Sequence, residues 1–226
     1  MQSYKDLNID YRGGHLTINF SLNSLDGCPE LISGNFSLCN STLPSLLGGP
    51  KQVDGKFKCY NNKLVSCEHM PNTIRGEISL DGNLLTNLDH FAKHVYSNVE
   101  LDSNCLTSLI GLPSEINGKL LVNDNRLTDL VGCASVIDKV FDFRHNSITS
   151  LVGIHKIIKK CPIITFSCDT ITQGGIGLLL IADLFEISCY TTPFSIIKKY
   201  LGKGTKGMME CRAELIANGF DDYAKL

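Results

Sequence analysis

The chain is expected to fold as an α/β solenoid of 21-residue turns, with one parallel β-sheet on its concave face and a short helical cap at its C-terminal end. Three observations predict this. Apolar residues recur every 21 residues across six turns, and an asparagine in five of them, with no insertion or deletion. Within each unit two apolar positions lie two residues apart, the spacing of a strand with one buried face. Near residue 167 the period stops, and Pro and Gly helix signals take over.

The first column holds Phe36, Phe57, Ile78, Val99, Leu120 and Phe141, and the second holds Leu38, Cys59, Leu80, Leu101, Val122 and Phe143. These are the inward positions of the strand. The third holds Ser41, Asn62, Asn83, Asn104, Asn125 and Asn146. Asparagine carries both donors and an acceptor, so it can satisfy backbone groups where the chain bends out of the strand. Leu43, Leu64, Leu85, Leu106, Leu127 and Ile148 follow, and then Leu46, Cys67, Leu88, Leu109, Leu130 and Leu151. Ile32, Val53, Ile74, Val95, Ile116 and Ile137 precede the first column by four residues. One turn cannot bury its apolar face alone, and stacking supplies the core.

The run from the first column to the fourth reads L-x-L-x-x-N-x-L. With the unit Val53-Asp54-Gly55-Lys56-Phe57-Lys58-Cys59-Tyr60-Asn61-Asn62-Lys63-Leu64, it resembles the short bacterial class of leucine-rich repeat. In-phase Pro29, Pro50, Pro71 and Pro113 fit the Pro-containing descending segment of that class. Gly34, Gly55, Gly76 and Gly118 give the units the style of such proteins encoded by tailed bacteriophages. The resemblance covers roughly residues 15–165. It implies a binding scaffold whose partner, for a phage protein, would be a host protein that it inhibits or redirects, a defence protein among the candidates.

Three segments follow. Residues 1–27 form a degenerate cap turn, because His15 and Thr17 stand where apolar residues are expected, although Leu22 and Leu25 keep phase. Residues 28–166 form the solenoid, with Ile158 and Ile164 still in phase. Residues 167–226 form a helical tail: a buried helix over 176–187, a second over 194–201 opened by Thr192-Pro193 and stopped by Gly202, and a third over 206–218 ended by Gly219. The third would bury Met208, Met209, Cys211, Leu215 and Ile216. Such a tail would cover an open sheet edge.

A net charge of −2 sets up no field calling for nucleic acid or a membrane. The start of the chain has no apolar stretch of the signal-peptide kind, and the apolar run at 176–187, broken by Asp183 and Glu186, is too short to span a bilayer. The ten cysteines form no Cys-x-x-Cys pair and several occupy core columns, so they are expected as free thiols in a reducing, cytoplasmic setting. That setting would be the host cytoplasm for a viral protein.

No catalytic grouping is assignable and no cofactor is implied. His90 and His94 are spaced like two metal ligands but lack a third, so no metal is expected. The segment 202–207, Gly-Lys-Gly-Thr-Lys-Gly, lacks the spacing of a phosphate loop and reads as a helix stop. What remains is the outward strand face. The candidate partner-binding residues are Lys56, Lys58, Tyr60, Glu77, Asp81, Glu100, Asp102, Asp124 and Arg144. Neighbouring strands lie about 4.8 Å apart, so the four carboxylates from Glu77 to Asp102 are expected to form one acidic patch suited to a partner protein with a basic surface. Leu121 and Val140 would be exposed beside it, and Asn123 would point outward with no structural duty. The competing readings are an ordinary solvated face, a structural virion or assembly component, and an enzyme activity in the tail.

Overall fold

The computed structural model describes residues 3–7, 11, 14–188 and 191–226. It is a parallel β-solenoid of about eight turns. One nine-stranded parallel sheet runs its length: Leu16–Ile18, Phe36–Leu38, Phe57–Lys58, Ile78–Ser79, Val99–Glu100, Leu120–Leu121, Val140–Asp142, Ile163–Phe166 and Leu184–Ile187. The columns pair as expected, with Phe36 opposite Phe57, Phe57 opposite Ile78, and Val99 opposite Leu120. All of these are fully buried. A second line of short pairings joins Ile32, Val53 and Ile74, and further on Val95, Ile116 and Ile137.

Each asparagine ties two turns together at the corner after the strand. Asn104 Oδ1 accepts the N–H of Leu85 in the preceding turn at 3.1 Å. Its Nδ2 donates back to Leu80 O at 3.0 Å and to Leu101 O of its own turn at 3.1 Å. Asn62, Asn83, Asn125 and Asn146 repeat this pattern. Ser41 makes a reduced version, its hydroxyl accepting from Leu22 N–H and donating to Leu22 O. The amides lie where water cannot replace them, since Asn62, Asn83, Asn104 and Asn125 are all buried.

Two further columns emerge on the return side of each turn. The side-chain oxygens of Ser24, Ser45, Ser66, Asn87, Ser108, Asp129 and Ser150 each accept the N–H two residues ahead. These local turns satisfy backbone groups where no strand is available. Three residues after each stands a left-handed residue: Gly27, Gly48, His69, His90, Gly111, Gly132 and Gly153, with Gly174 next in phase. At Gly132 an added β-carbon would lie 2.2 Å from Ile110 N. Left-handed backbone costs a residue other than glycine on the order of 1 kcal/mol, so His69 and His90, both at φ 65°, are departures from the column's rule.

The ends differ from the sequence expectation. Leu16 pairs with Phe36 and Ile18 with Leu38, a spacing of twenty residues. Leu16 and Ile18 therefore fill the core columns, not His15 and Thr17, and residue deletion after the strand explains the apparent loss of phase. At the other end Phe141 pairs with Ile164, two residues beyond the period, so Ile164 belongs to the first column and not the second. The period then resumes, with Ile164 opposite Phe185. The stretch 176–187 is consequently not a helix. It is a 3-10 turn, Ile176–Leu180, followed by the last strand, Leu184–Ile187, and the sheet continues past the boundary expected at 166.

Beyond it lie two helices, α2 (Thr192–Lys198) and α3 (Gly204–Ala217), after the single-turn α1 (Ile154–Ile157). Thr191, not Thr192, is the residue flanking α2. Phe194 closes the core end by edge-on contact with Phe166 at 5.1 Å and Phe185 at 6.3 Å. Tyr223 packs edge-on against Phe194, and its hydroxyl donates to Ile171 O at 2.9 Å. On α3 only Cys211 and Leu215 of the expected face are fully buried and Met208 is partly packed, while Met209 and Ile216 are 69% and 47% exposed. Glu214 of α3, with Lys199 and Tyr200 just after α2, instead supplies polar closure of the α2–α3 corner, Tyr200 Oη donating to Glu214 at 2.7 Å.

The cysteine expectation holds in part. Cys28, Cys39, Cys59, Cys67, Cys105, Cys133, Cys161 and Cys211 are free, and Cys59, Cys67 and Cys161 occupy the core. Cys168, however, is disulfide-bonded, which overturns the expectation of ten thiols, and Cys189 lies outside the described residues. Burial pushes the thiols of Cys28, Cys67 and Cys161 up to about 12, so these sulfurs remain protonated and unreactive at neutral pH.

Two outcomes are expected. Asn104→Ala should destabilise by roughly 1–3 kcal/mol, because Leu85 N–H and two carbonyls lose their partner in the interior. Chemical denaturation of that variant beside Asn123→Ala, which forfeits a single half-buried bond, should show the larger loss at Asn104. A thiol count on unreduced, denatured protein should fall short of ten and rise to ten after reduction, since Cys168 is disulfide-bonded.

Candidate functional site: the outward strand face

The register aligns three outward rows. The middle row runs Ser37, Lys58, Ser79, Glu100, Leu121, Asp142, Thr165 and Glu186. Lys56 and Glu77 belong to the row before it, and Tyr60, Asp81, Asp102, Asn123 and Arg144 to the row after it. Asp124 follows at a left-handed position, φ 51°, and is exposed at the corner. Eight of the nine candidate residues thus share the sheet face, and Asp124 rims it.

The four carboxylates do not form one uniform patch. Glu77 is held by two cations, with Lys58 Nζ at 2.9 Å and Lys56 Nζ at 3.5 Å. Burial would raise its carboxyl, but the hydrogen bond and charge of Lys58, with Lys56 behind, outweigh it and hold Glu77 below its ordinary value. Glu100, in contrast, is raised by burial and then by the charges of Glu77 and Asp81. Asp102 is raised to about 6, first by burial and then by Asp81 and Asp142, although the Asn123 N–H opposes the rise. Among the described residues no ion pair engages Asp81, Glu100 or Asp102.

Several of these side chains also hold the sheet. Asp81 accepts Asp102 N–H at 3.1 Å and the Ser79 hydroxyl at 2.8 Å. Asp102 accepts Asn123 N–H at 2.7 Å, and Asn123 accepts Arg144 N–H at 3.1 Å. Asn123 therefore has the structural duty that its outward position concealed. Arg144 is clamped in two places on buried Asp142, Nη2 to Oδ2 at 2.7 Å and Nε to Oδ1 at 3.0 Å, so its guanidinium is already engaged within the face. Leu121 and Val140 are half-buried, flatter and less protruding than expected.

The sequence reading missed the return-side columns. Their signal was present as hydroxyl or Asx residues from Ser24 to Ser150 in phase with glycines, but polar positions between apolar ones look like ordinary surface. Among the described residues no cluster of three His, Cys, Asp or Glu side chains is arranged to hold a metal, and no helix is long and apolar enough to cross a membrane. No family model, curated protein or solved structure matches the chain.

The raised Asp102 carboxyl has a consequence for stability. Its folded value lies above its unfolded one, so the folded state binds the extra proton. The associated stability is complete below the unfolded value near 4, and is lost as the pH rises through about 6. Asp102→Asn keeps an acceptor for Asn123 N–H without the charge. At pH 7 it should stabilise the fold by about 1 kcal/mol, allowing for solvent screening at this half-buried site. Denaturation curves at pH 5 and pH 7 should differ less for the variant than for the wild type.

Proposed function

We propose that the chain is a protein-binding scaffold whose outward strand face receives a partner bearing a basic protrusion. The observation that carries this reading is the Glu100–Asp102 pair. Both carboxylates sit half-buried on the sheet, are raised by burial and by neighbouring carboxylates, Asp81 beside both, and among the described residues form no ion pair. A lysine or arginine brought by a partner would relieve that charge in the bound state, and Lys58, Tyr60 and Leu121 beside it supply a mixed rim. Charge complementarity of this kind favours specific and fast association, and aromatic anchors are common at such interfaces.

The finer reading rests on the repeat motif. The chain is proposed as a leucine-rich-repeat protein of the short bacterial and phage-encoded class, acting in the host cytoplasm on a host protein. A second reading places the partner on α3, because Met209 and Ile216 are exposed there.

Affinity capture with immobilised protein, followed by binding kinetics with the captured partner, separates the two. Glu100→Lys should slow association and weaken affinity by tenfold or more, while Glu115→Lys, on the opposite pairing line, should bind like wild type. Full binding by Glu100→Lys, together with loss in Met209→Asp, would move the site to α3.

A further inference from the structure

The groove between the third and fourth return corners carries a cluster that the strand face does not use. His69 and His90 occupy equivalent positions in adjacent turns, both with φ 65°, where the other turns of that column place Gly27, Gly48, Gly111, Gly132, Gly153 and Gly174. The turn itself needs no side chain there, and the backbone is more easily formed without one. Yet both rings are exposed and line one open cleft of about 440 Å³. Asn72 enters it from the His69 turn, and Lys93 and His94 enter it from the His90 turn.

The lining holds no carboxylate. Glu68 stands beside it, 3.7 Å from His69 Nε2, with 63% of its side chain exposed, and exposed Asp89 precedes His90 in the chain. Among the described residues Lys93, His90 and His94 enter no ion pair. Met70, Phe91 and Ala92 form an apolar floor that lowers the local polarity. The cleft thus gathers N–H donors from two turns: three imidazoles, one amide and one ammonium.

We propose that this cleft binds a phosphate group, held between the His69 and His90 turns with Lys93 and His94 closing its far side. Phosphate fits better than a carboxylate because its oxygens can accept from donors arriving from both turns at once. The same chemistry is offered by free phosphate and by a phosphorylated ligand. The site is separate from the strand face, so its failure would leave the scaffold reading untouched.

The glycine rule of the column provides the test. His69→Gly/His90→Gly restores the residue that the other turns use, so the variant should fold with at least wild-type stability, which thermal unfolding checks. Full-length protein at pH 6 is titrated with inorganic phosphate and, separately, with phosphoserine, and imidazole NMR signals are followed against sodium chloride of matched ionic strength. The wild type should show saturable shifts at His69, His90 and His94, and the double variant should bind at least tenfold more weakly, as should Lys93→Ala. Tighter phosphoserine binding assigns the site to a phosphorylated ligand, and tighter inorganic phosphate binding assigns it to the free ion. Shifts no larger than those with chloride, or equal saturation in the double variant, overturn the proposal.

Discussion

The asparagine at the corner is the interaction on which the stack depends. A solenoid turn must leave the sheet, and where it does so its N–H and C=O groups lose their strand partners in a region sealed by leucines. One amide at each corner resolves this, accepting one N–H from the preceding turn and donating to carbonyls of both turns. An unpaired buried polar group costs about as much as several apolar contacts contribute. The corner therefore restricts which residue may stand there far more tightly than the leucine columns restrict theirs. Cys59 and Cys67 replace apolar column residues without disturbance, whereas across the six in-phase turns asparagine gives way at one position, Ser41, at one end of the ladder and with fewer bonds.

That contrast explains what the sequence made legible. Columns of apolar residues at constant spacing are visible because burial is a property of side-chain type, and the register of Phe57, Ile78, Val99 and Leu120 followed directly from them. A fixed shift misreads a turn as soon as one residue is lost or two are gained. Leu16 and Ile18 hid behind a one-residue deletion, and Phe185 behind a two-residue expansion and an apolar run that mimics a helix. Periodicity alone does not separate a short buried strand from a buried helix segment.

The strand face was legible as a set of positions but not as an electrostatic field. Alternation places Glu77, Asp81, Glu100 and Asp102 outward, and spacing makes them neighbours. Which of them is neutralised depends on the reach of Lys56 and Lys58, and which is desolvated depends on the sheet beneath. Glu77 and Asp102 have the same chemistry and lie on the same face, yet their carboxyls move in opposite directions. The backbone duty of Asp81, Asp102 and Asn123 was equally hidden, because an outward side chain can still bend across to the next strand's N–H.

The asparagine bonds all point one way along the chain. Each amide reaches residues nineteen and twenty-four positions earlier, and none of these side-chain bonds awaits a turn still to come. A ribosome delivers the chain in that same order. As each new corner emerges, the N–H and carbonyl that its asparagine must meet have already been made and placed by the turn before. Vectorial synthesis and the polarity of the ladder thus coincide, and the growing array presents at any moment one unfinished corner, at its youngest end.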